Sequence, residues 1–346
     1  MIVADFIAVI ATVLNEGESI RGLMDSLVAQ TRPPDQVVIV DGGSRDHTVS
    51  VLRDYAGRLP LRVIEAPGCN ISAGRNRAIA AVVSPPTAGD PIIASTDAGV
   101  VLDSYWLERL VQPLIADPAL AVSAGFFRAD PHTVFEAALG ATSLPAVDEI
   151  DPLSFLPSSR SVAFRQSAWA RVGGYPEWLD YCEDLIFDLR LKMSMPNGVA
   201  FVPDAVVYFR PRGSLGAFYK QYYRYARGDG KADLWRKRHT ARYVTYLIGL
   251  PVLVGLGVGV HLGFWAVLVL GGLIYVRTPY RRLRAVLAEA AHTKVVRLTP
   301  MNILGALVWV PVIRLVGDLA KMIGYPVGWW WRLQQRPPDW KQAGTS

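Results

Sequence analysis

The sequence has little of what a disulfide-stapled, zinc-binding or P-loop protein needs. Its 346 residues hold two cysteines, Cys69 and Cys182. That is too few for a disulfide framework and points to a reducing compartment. The histidines at 47, 132, 239, 261 and 292 show no zinc-like spacing. Neither G-x-x-x-x-G-K-S/T nor G-x-G-x-x-G occurs, which argues against P-loop and dinucleotide chemistry. Internal repeats and low-complexity tracts are missing too. The opening "MIVADFIAVIATVLNEGES" carries Asp5, with no basic lead and no small-residue cleavage site, so a buried strand is expected there rather than a targeting segment. Finally, Tyr243 to Val276 contains no Asp, Glu, Lys or Arg.

That last absence explains the bulk hydropathy. Mean hydropathy is +0.24 and 51% of residues are hydrophobic, high for a protein surrounded by water. A spanning helix takes roughly 20 residues, so 243–276 is long for one upright span. It reads as a hairpin of two short helices turning near 261–263, with one long tilted helix as the alternative. The net charge of +6 is concentrated just before this run. Between Arg210 and Arg242 the basic residues are opposed only by Asp229 and Asp233. Such a flank predicts a cytoplasmic face on anionic lipid, and lipid is a simpler partner than nucleic acid.

The length suggests two modules, and boundaries are expected at 1–212, 213–242, 243–332 and 333–346. After the hairpin a basic loop is expected over 277–300. The segment 301–332 either spans or lies in the interface, because Arg314, Asp318 and Lys321 share one helical face. Trp329 to Trp331 suit a headgroup belt.

The first 100 residues alternate strand and helix. "IAVIATV" (7–13), "QVVIVD" (36–41), "LRVIEA" (61–66) and "PIIAST" (91–96) read as strands buried on both faces. Ile20, Leu23, Met24, Leu27 and Val28 repeat at helical spacing, and 71–82 is a further helix. This order implies a mostly parallel mixed sheet with helices on both faces. Later elements are a helix near 105–115, a strand near 119–127, a helix around 133–141 and a helix over 183–193. "VAFVPDAVVYF" (199–209) is expected to form two short strands around Pro203.

Ligands of an open parallel sheet collect at the carboxyl ends of its strands. Polar residues stand at four such ends: Thr12 with Asn15 and Glu16; Asp41 with Gly42, Gly43 and Ser44; Arg75 with Asn76; and Thr96 with Asp97. A strand that ends on a buried carboxylate needs hydrogen bonds or a crevice. Asp41 either accepts from a nucleobase N–H, with Gly42 and Gly43 admitting a flat ring, or caps the helix that follows. Asp97 either holds Mg²⁺ or Mn²⁺ or forms a turn before Gly99.

Several stretches in order carry a family resemblance. They are "TVLNEGESIRGLMDSLVAQTRPPDQVVIVDGGSRDHT", "GRNRAIAAV", "STDAGVVLDSYWLERL", "VGGYPEWLDYCEDLIFDLRL" and "QYYRYARGDG". Together they resemble family 2 glycosyltransferases of the GT-A, nucleotide-diphospho-sugar transferase fold, over the first 230 residues. The membrane C-terminus resembles the branch that assembles polysaccharides. The resemblance implies that Thr12 to Glu16, Asp41, Gly43 and Ser44 contact the base. It implies that Arg75 approaches the base or diphosphate, and that Asp97 is the first carboxylate of an Asp-x-Asp metal motif whose second position is here Gly99. Thr12 stands where many relatives have proline. Asp184 matches the general base, and Glu183 would orient it. Gly174 and Tyr175 match an acceptor-side loop. Gln221, Arg224 and Tyr225 match a Gln-x-x-Arg-Trp motif, with Tyr225 in place of Trp; the same residues also fit one face of a plain amphipathic helix.

The function implied is inverting sugar transfer from a nucleotide-diphospho-sugar, UDP-linked first, to a lipid-linked saccharide at the cytoplasmic face of the cell membrane. A divalent metal, Mg²⁺ or Mn²⁺, is implied by Asp97 and put in doubt by Gly99. A polyprenyl-phosphate acceptor and a catalytically inactive membrane scaffold are the alternatives. A sugar nucleotidyltransferase would need a glycine-rich basic loop after its first strand, which "TVLNEGES" does not supply.

Overall fold

The structure, a computed structural model, describes residues 5–341 except 196–197, 293–296 and 298. The chain divides into two compact units. One comprises Met1–Arg128, Val147–Phe209 and Pro337–Ser346; the other comprises Ala129–Ala146 and Arg210–Arg336. Residues 129–146, which the sequence assigns to the first module, thus pack with the C-terminal helices.

The first unit is built on an eight-stranded sheet of order β3-β2-β1-β4-β7-β6-β8-β5. Its strands are β1 Ile7–Val13, β2 Gln36–Asp41, β3 Leu61–Glu65, β4 Ile92–Ser95, β5 Val100–Leu102, β6 Val122–Ala129, β7 Val162–Arg165 and β8 Val199–Phe209. Its helices are α1 Ser19–Val28, α2 Thr48–Arg53, α3 Ile71–Ala80, α4 Trp106–Ala116, α6 Gln166–Arg171 and α7 Glu183–Ser194. β1 is parallel to both β2 and β4, and β2 to β3. β4 and β7, β6 and β7, and β5 and β8 pair antiparallel. The sheet is therefore parallel across β3, β2, β1 and β4, with antiparallel pairing at β4–β7, β7–β6 and β8–β5. β8 is one continuous strand through Pro203 rather than two; proline only removes one ladder donor there.

Alternation along β1 decides which helices cover which face. Ile7, Val9, Ala11 and Val13 pack with α1, α2 and α4, through Leu23, Leu52 and Leu110. Ala8 and Ile10 face α3, α6 and α7, through Ile79, Ala168 and Phe187. Strands buried on both faces carry apolar residues at every position, which is why these runs do not alternate with polar ones.

Gly125 on β6 marks a close crossing. A Cβ there would lie 2.0 Å from Ser161 Oγ and 2.6 Å from the Ala205 carbonyl. Ser161 Oγ accepts from Trp106 Nε1 at 2.8 Å and donates to the Ala205 carbonyl at 3.1 Å. Gly125→Ala must displace this buried bridge. It is expected to destabilise the protein by about 1–3 kcal/mol, read as a lower melting temperature of the detergent-solubilised chain.

The second unit holds α5 Val134–Ser143, α8 Leu215–Ala232, α9 Arg236–Val244, α10 Leu250–Gly259, α11 Gly263–His292 and α12 Pro300–Gln335. A π turn, Thr245–Gly249, joins α9 to α10. Among the described residues three stretches are long and apolar enough to cross a membrane: Arg236–Gly259, Gly263–Ala290 and Pro300–Gln335. Their apolar side chains face outward, with Leu247 at 64%, Val258 at 76% and Leu273 at 61% exposure, as lipid-facing helices require. The loop expected over 277–300 is helical to His292, and 293–296 and 298 lie outside the described residues.

The charged stripe of α12 packs against other helices of its unit. Asp318 accepts from Arg242 Nε (2.8 Å), Tyr275 OH (2.6 Å) and Tyr246 OH (3.1 Å). Arg314 lies 4.1 Å from the Tyr275 ring centroid and Lys321 4.9 Å from that of Tyr222. Glycines bring α8 and α12 into backbone contact: a Cβ at Gly324 would meet the Tyr223 carbonyl at 2.2 Å, and one at Gly230 the Tyr325 carbonyl at 2.3 Å. Part of the basic flank is spent inside this unit, since Arg242 pairs with Asp318 and Arg236 with Asp233.

Candidate active site

The carboxyl ends of β1, β2 and β3 frame an open cleft of about 610 Å³, lined among others by Leu14, Asn15, Asp41, Gly43, Ser44 and Pro67. Asp41 is only 2% exposed, and it ties down its own turn. Its Oδ2 accepts from the Gly43 and Ser44 N–H groups, both at 2.9 Å, and its Oδ1 accepts from Ser44 Oγ. Ser44 Oγ in turn accepts from the Asn15 N–H (2.8 Å), and Asn15 Oδ1 accepts from the Arg45 N–H (2.8 Å). Asn15 has φ +54° and Gly43 φ +99°, both in the left-handed region. A Cβ at Gly43 would sit 3.0 Å from Pro67 Cα. The two loops are thus locked together, and Asp41 does not cap α2, whose first residue is Thr48. Thr48 Oγ1 instead accepts from the Glu16 and Gly17 N–H groups at 2.9 Å.

Beside this cleft the sheet edge continues to β4 and α3. Gly74 presses on Thr12, with its Cβ position 2.7 Å from Thr12 Cγ2, and the next residue is Arg75. Its side chain is 3% exposed and bridges two carboxylates, donating from Nη2 to Asp97 Oδ1 at 2.9 Å and from Nη1 to Glu183 Oε1 at 2.7 Å. The other oxygen of Asp97 forms an ion pair with Arg160, 3.2 Å from its Nε. Glu183 and Asp184 open α7, where the helix dipole favours negative charge. Asp188 follows one turn later and is buried, and its Oδ2 has no hydrogen-bond partner among the described residues.

Acids exceed bases in this cluster, and the titration behaviour reflects it. Burial alone would push the Arg75 guanidinium down, but Asp97 and Glu183 outweigh it and hold the cation above its ordinary value. Burial and then the charge of Asp184 push Glu183 up to about 7, against the pull of Arg75. Burial and then Asp184 push Asp188 well above the usual carboxylate range. Glu183 therefore keeps in the folded state a proton that the unfolded chain gives up near 4.5. Its contribution to stability is complete below that value and is lost as pH rises through about 7. Melting temperature is expected to fall across this window, and Glu183→Gln is expected to flatten the fall when melts are recorded against pH.

Gly174 and Tyr175, expected on the acceptor side, are turned inward. Gly174 has φ +70°, and a Cβ there would meet Asn76 Oδ1 at 2.7 Å. Tyr175 is 1% exposed, stacks on Phe187 at 4.1 Å and lies 5.3 Å from the Arg75 guanidinium. It packs between Phe187 and the Arg75 guanidinium. Asn76 holds this turn by accepting from the Tyr175 N–H and donating to the Tyr175 carbonyl, both at 2.9 Å. Gln221, Arg224 and Tyr225 stand on α8 in the second unit, where Gln221 Nε2 donates to Tyr225 OH at 2.8 Å. Arg160 and Asp188 were not singled out by sequence reasoning. An arginine within "SSRS" and a helical Asp four residues after Asp184 carry no motif of their own.

The residues at the implied metal position do not fit a divalent cation. Both oxygens of Asp97 are engaged by guanidinium groups, Gly99 adds no ligand, and the nearest carboxylate to it, Glu16, accepts from Ser19 Oγ at 2.6 Å. Among the described residues no group of three His, Cys, Asp or Glu is placed to hold a metal.

Comparison with known proteins agrees with this architecture. Residues 8–155 match the glycosyl transferase family 2 model. The O-antigen chain rhamnosyltransferase RfbN of Salmonella typhimurium is 26% identical over 211 residues, 58% of this chain and 65% of that protein. The uncharacterized glycosyltransferase YibD of Escherichia coli is 32% identical over 74 residues, 21% of this chain and 22% of its own. The chain thus spans less than two thirds of the length of these curated relatives. Among solved structures, the mannosyltransferase PcManGT from Pyrobaculum calidifontis, in complex with GDP-Man and Mn²⁺, aligns with a TM-score of 0.53 at 20% identity, over 97% of this chain and 91% of that one. TarS 1-349 of S. aureus, in complex with UDP-GlcNAc, aligns with a TM-score of 0.50 at 15% identity, over 95% of this chain and 92% of that one. These two likenesses show the fold. Residues 8–155 are thus a family 2 glycosyl transferase domain, and the sheet unit has the GT-A fold.

Proposed function

We propose that this protein moves a sugar from a nucleoside-diphospho-sugar, UDP-linked in the first instance, onto a hydroxyl of a lipid-linked saccharide at the cytoplasmic face of a membrane. The observation that carries the reading is the continuous polar edge of β2, β1 and β4. Along it the Asp41 cleft adjoins Arg75, which ties Asp97 to Glu183, the residue before Asp184. Asn15, Asp41, Gly43 and Ser44 would hold the base, with one acceptor position of Asp41 still open after the three bonds it makes within its turn. Thr12 and Glu16 stand at the same edge. Gln221, Arg224 and Tyr225 would serve the acceptor or the diphosphate.

The chemistry needs one proton acceptor. The acceptor hydroxyl oxygen attacks the anomeric carbon while the bond from that carbon to the diphosphate oxygen breaks and its electron pair leaves with the nucleoside diphosphate. The hydroxyl proton passes to Asp184, and a single in-line displacement inverts the anomeric configuration. No step is routed through a metal, since Asp97 is not placed to hold one. The membrane-length helices support a lipid-linked acceptor and contact of the exposed basic residues with anionic lipids, and the O-antigen relative supports polysaccharide assembly. Nothing in this arrangement favours nucleic acid as a partner.

The test is a thermal-shift screen of the detergent-solubilised chain against UDP-, GDP- and dTDP-sugars, followed by donor turnover. A ligand that binds only the folded form raises the melting temperature. One donor class is expected to do so and to be consumed. If none stabilises the protein and none is turned over, the reading is overturned.

A further inference from the structure

We propose that Arg160 supplies the positive charge that the donor diphosphate needs in this protein, and that Asp97 positions Arg160 instead of binding a metal, so that nucleotide binding requires no divalent cation. The inference rests on the glycosyltransferase reading and specifies how that site handles charge.

Three observations support it. Asp97 stands at the carboxyl end of β4, where the fold family places a metal ligand, yet one of its oxygens accepts from Arg75 and the other pairs with Arg160. The two guanidiniums differ in access: the Arg75 side chain is 3% exposed, whereas that of Arg160 is 23% exposed. Arg75 is therefore an internal strut, and Arg160 is the cation that a solvent-borne phosphate can approach. Arg160 is also preorganised. Its guanidinium carbon lies 4.6 Å from the Phe209 ring centroid and 5.8 Å from that of Phe127, which lets the rings support its flat face. Its neighbours are fixed on both sides, Ser159 Oγ by Tyr175 OH at 3.1 Å and Ser161 Oγ by Trp106 and Ala205.

Chemically the arrangement is self-consistent. A guanidinium is always charged and offers several planar N–H donors suited to phosphate oxygens. With Nε beside Asp97 and the Phe209 and Phe127 rings against its flat face, the head group is held in place as charge builds on the leaving diphosphate. Such fixed donors stabilise developing charge without reorganising. A divalent ion in the same place would have to displace two arginines from Asp97.

The experiment uses the full chain in detergent with UDP, GDP and dTDP as probes, titrated by calorimetry in chelator and in Mn²⁺. Equal affinity in the two conditions is expected. Arg160→Met is expected to weaken diphosphate binding by ~10- to 100-fold, the worth of a charge-assisted bond, while the matching nucleoside monophosphate loses little. Arg160→Lys should recover part of the loss, and melting curves confirm that both variants fold. Binding that appears only with Mn²⁺, or an Arg160→Met variant that binds the diphosphate normally, overturns this inference and leaves the glycosyltransferase reading standing. Failure of every probe in both conditions overturns both.

Discussion

Arg75→Met is expected to cost about 3–5 kcal/mol of stability at neutral pH, the usual penalty for removing one partner of a buried ion pair. Methionine matches much of the arginine stem, so the loss comes from charge rather than from volume. Arg75 is 2% exposed and is the shared counter-ion of Asp97 and Glu183. Without it these carboxylates face Asp184 and Asp188, with Arg160 paired to Asp97. The signature is a melting temperature that drops sharply at neutral pH and recovers toward wild type as the buffer is acidified, because protonated carboxyls no longer need the cation. Arg75→Lys should recover less than charge alone suggests, since one ammonium cannot match the two directions taken by Nη1 and Nη2. A pH-independent loss would point to packing and remove the counter-ion role.

Asp184→Asn is expected to lower turnover by ~10²- to 10⁴-fold, the range for removing a general base, with donor affinity close to wild type. Donor hydrolysis by the purified chain is the measurement, since water also needs a proton acceptor. Asparagine keeps the shape and removes the basicity. The substitution carries a second readout, because the charge of Asp184 helps push Glu183 up. Neutralising it should move the pH dependence of stability assigned to Glu183 toward lower pH. Retained turnover would take the base role away from Asp184 and move attention to Glu183.

These predictions join residues of very different legibility. β1, β2, β3 and β4 were readable because strands covered by helices on both faces leave uninterrupted apolar runs. The polar residues that end them were readable because a buried strand rarely stops on a carboxylate without cause. The family 2 resemblance added Asp184, which composition alone leaves looking like an ordinary acidic helix start. β5, three residues long, and the single passage of β8 through Pro203 were not readable, since partners distant in sequence decide short strands. The burial of Tyr175 was not readable for a related reason. A glycine pair followed by an aromatic suggests an exposed loop, and only the packing of Phe187 and Arg75 around the ring shows it turned inward.

By itself the sequence determined the alternation of strands and helices, the apolar helices, the polar strand ends and the membership of residues 8–155 in their family. These are local or periodic properties, written in neighbouring residues. Tertiary structure alone decided that Asp97 is held by two arginines, that Asp41 braces its own turn, and that residues 129–146 pack with the C-terminal helices. Each of these depends on which distant groups share a buried space, where charge and desolvation act over a few ångströms and chain separation has no bearing.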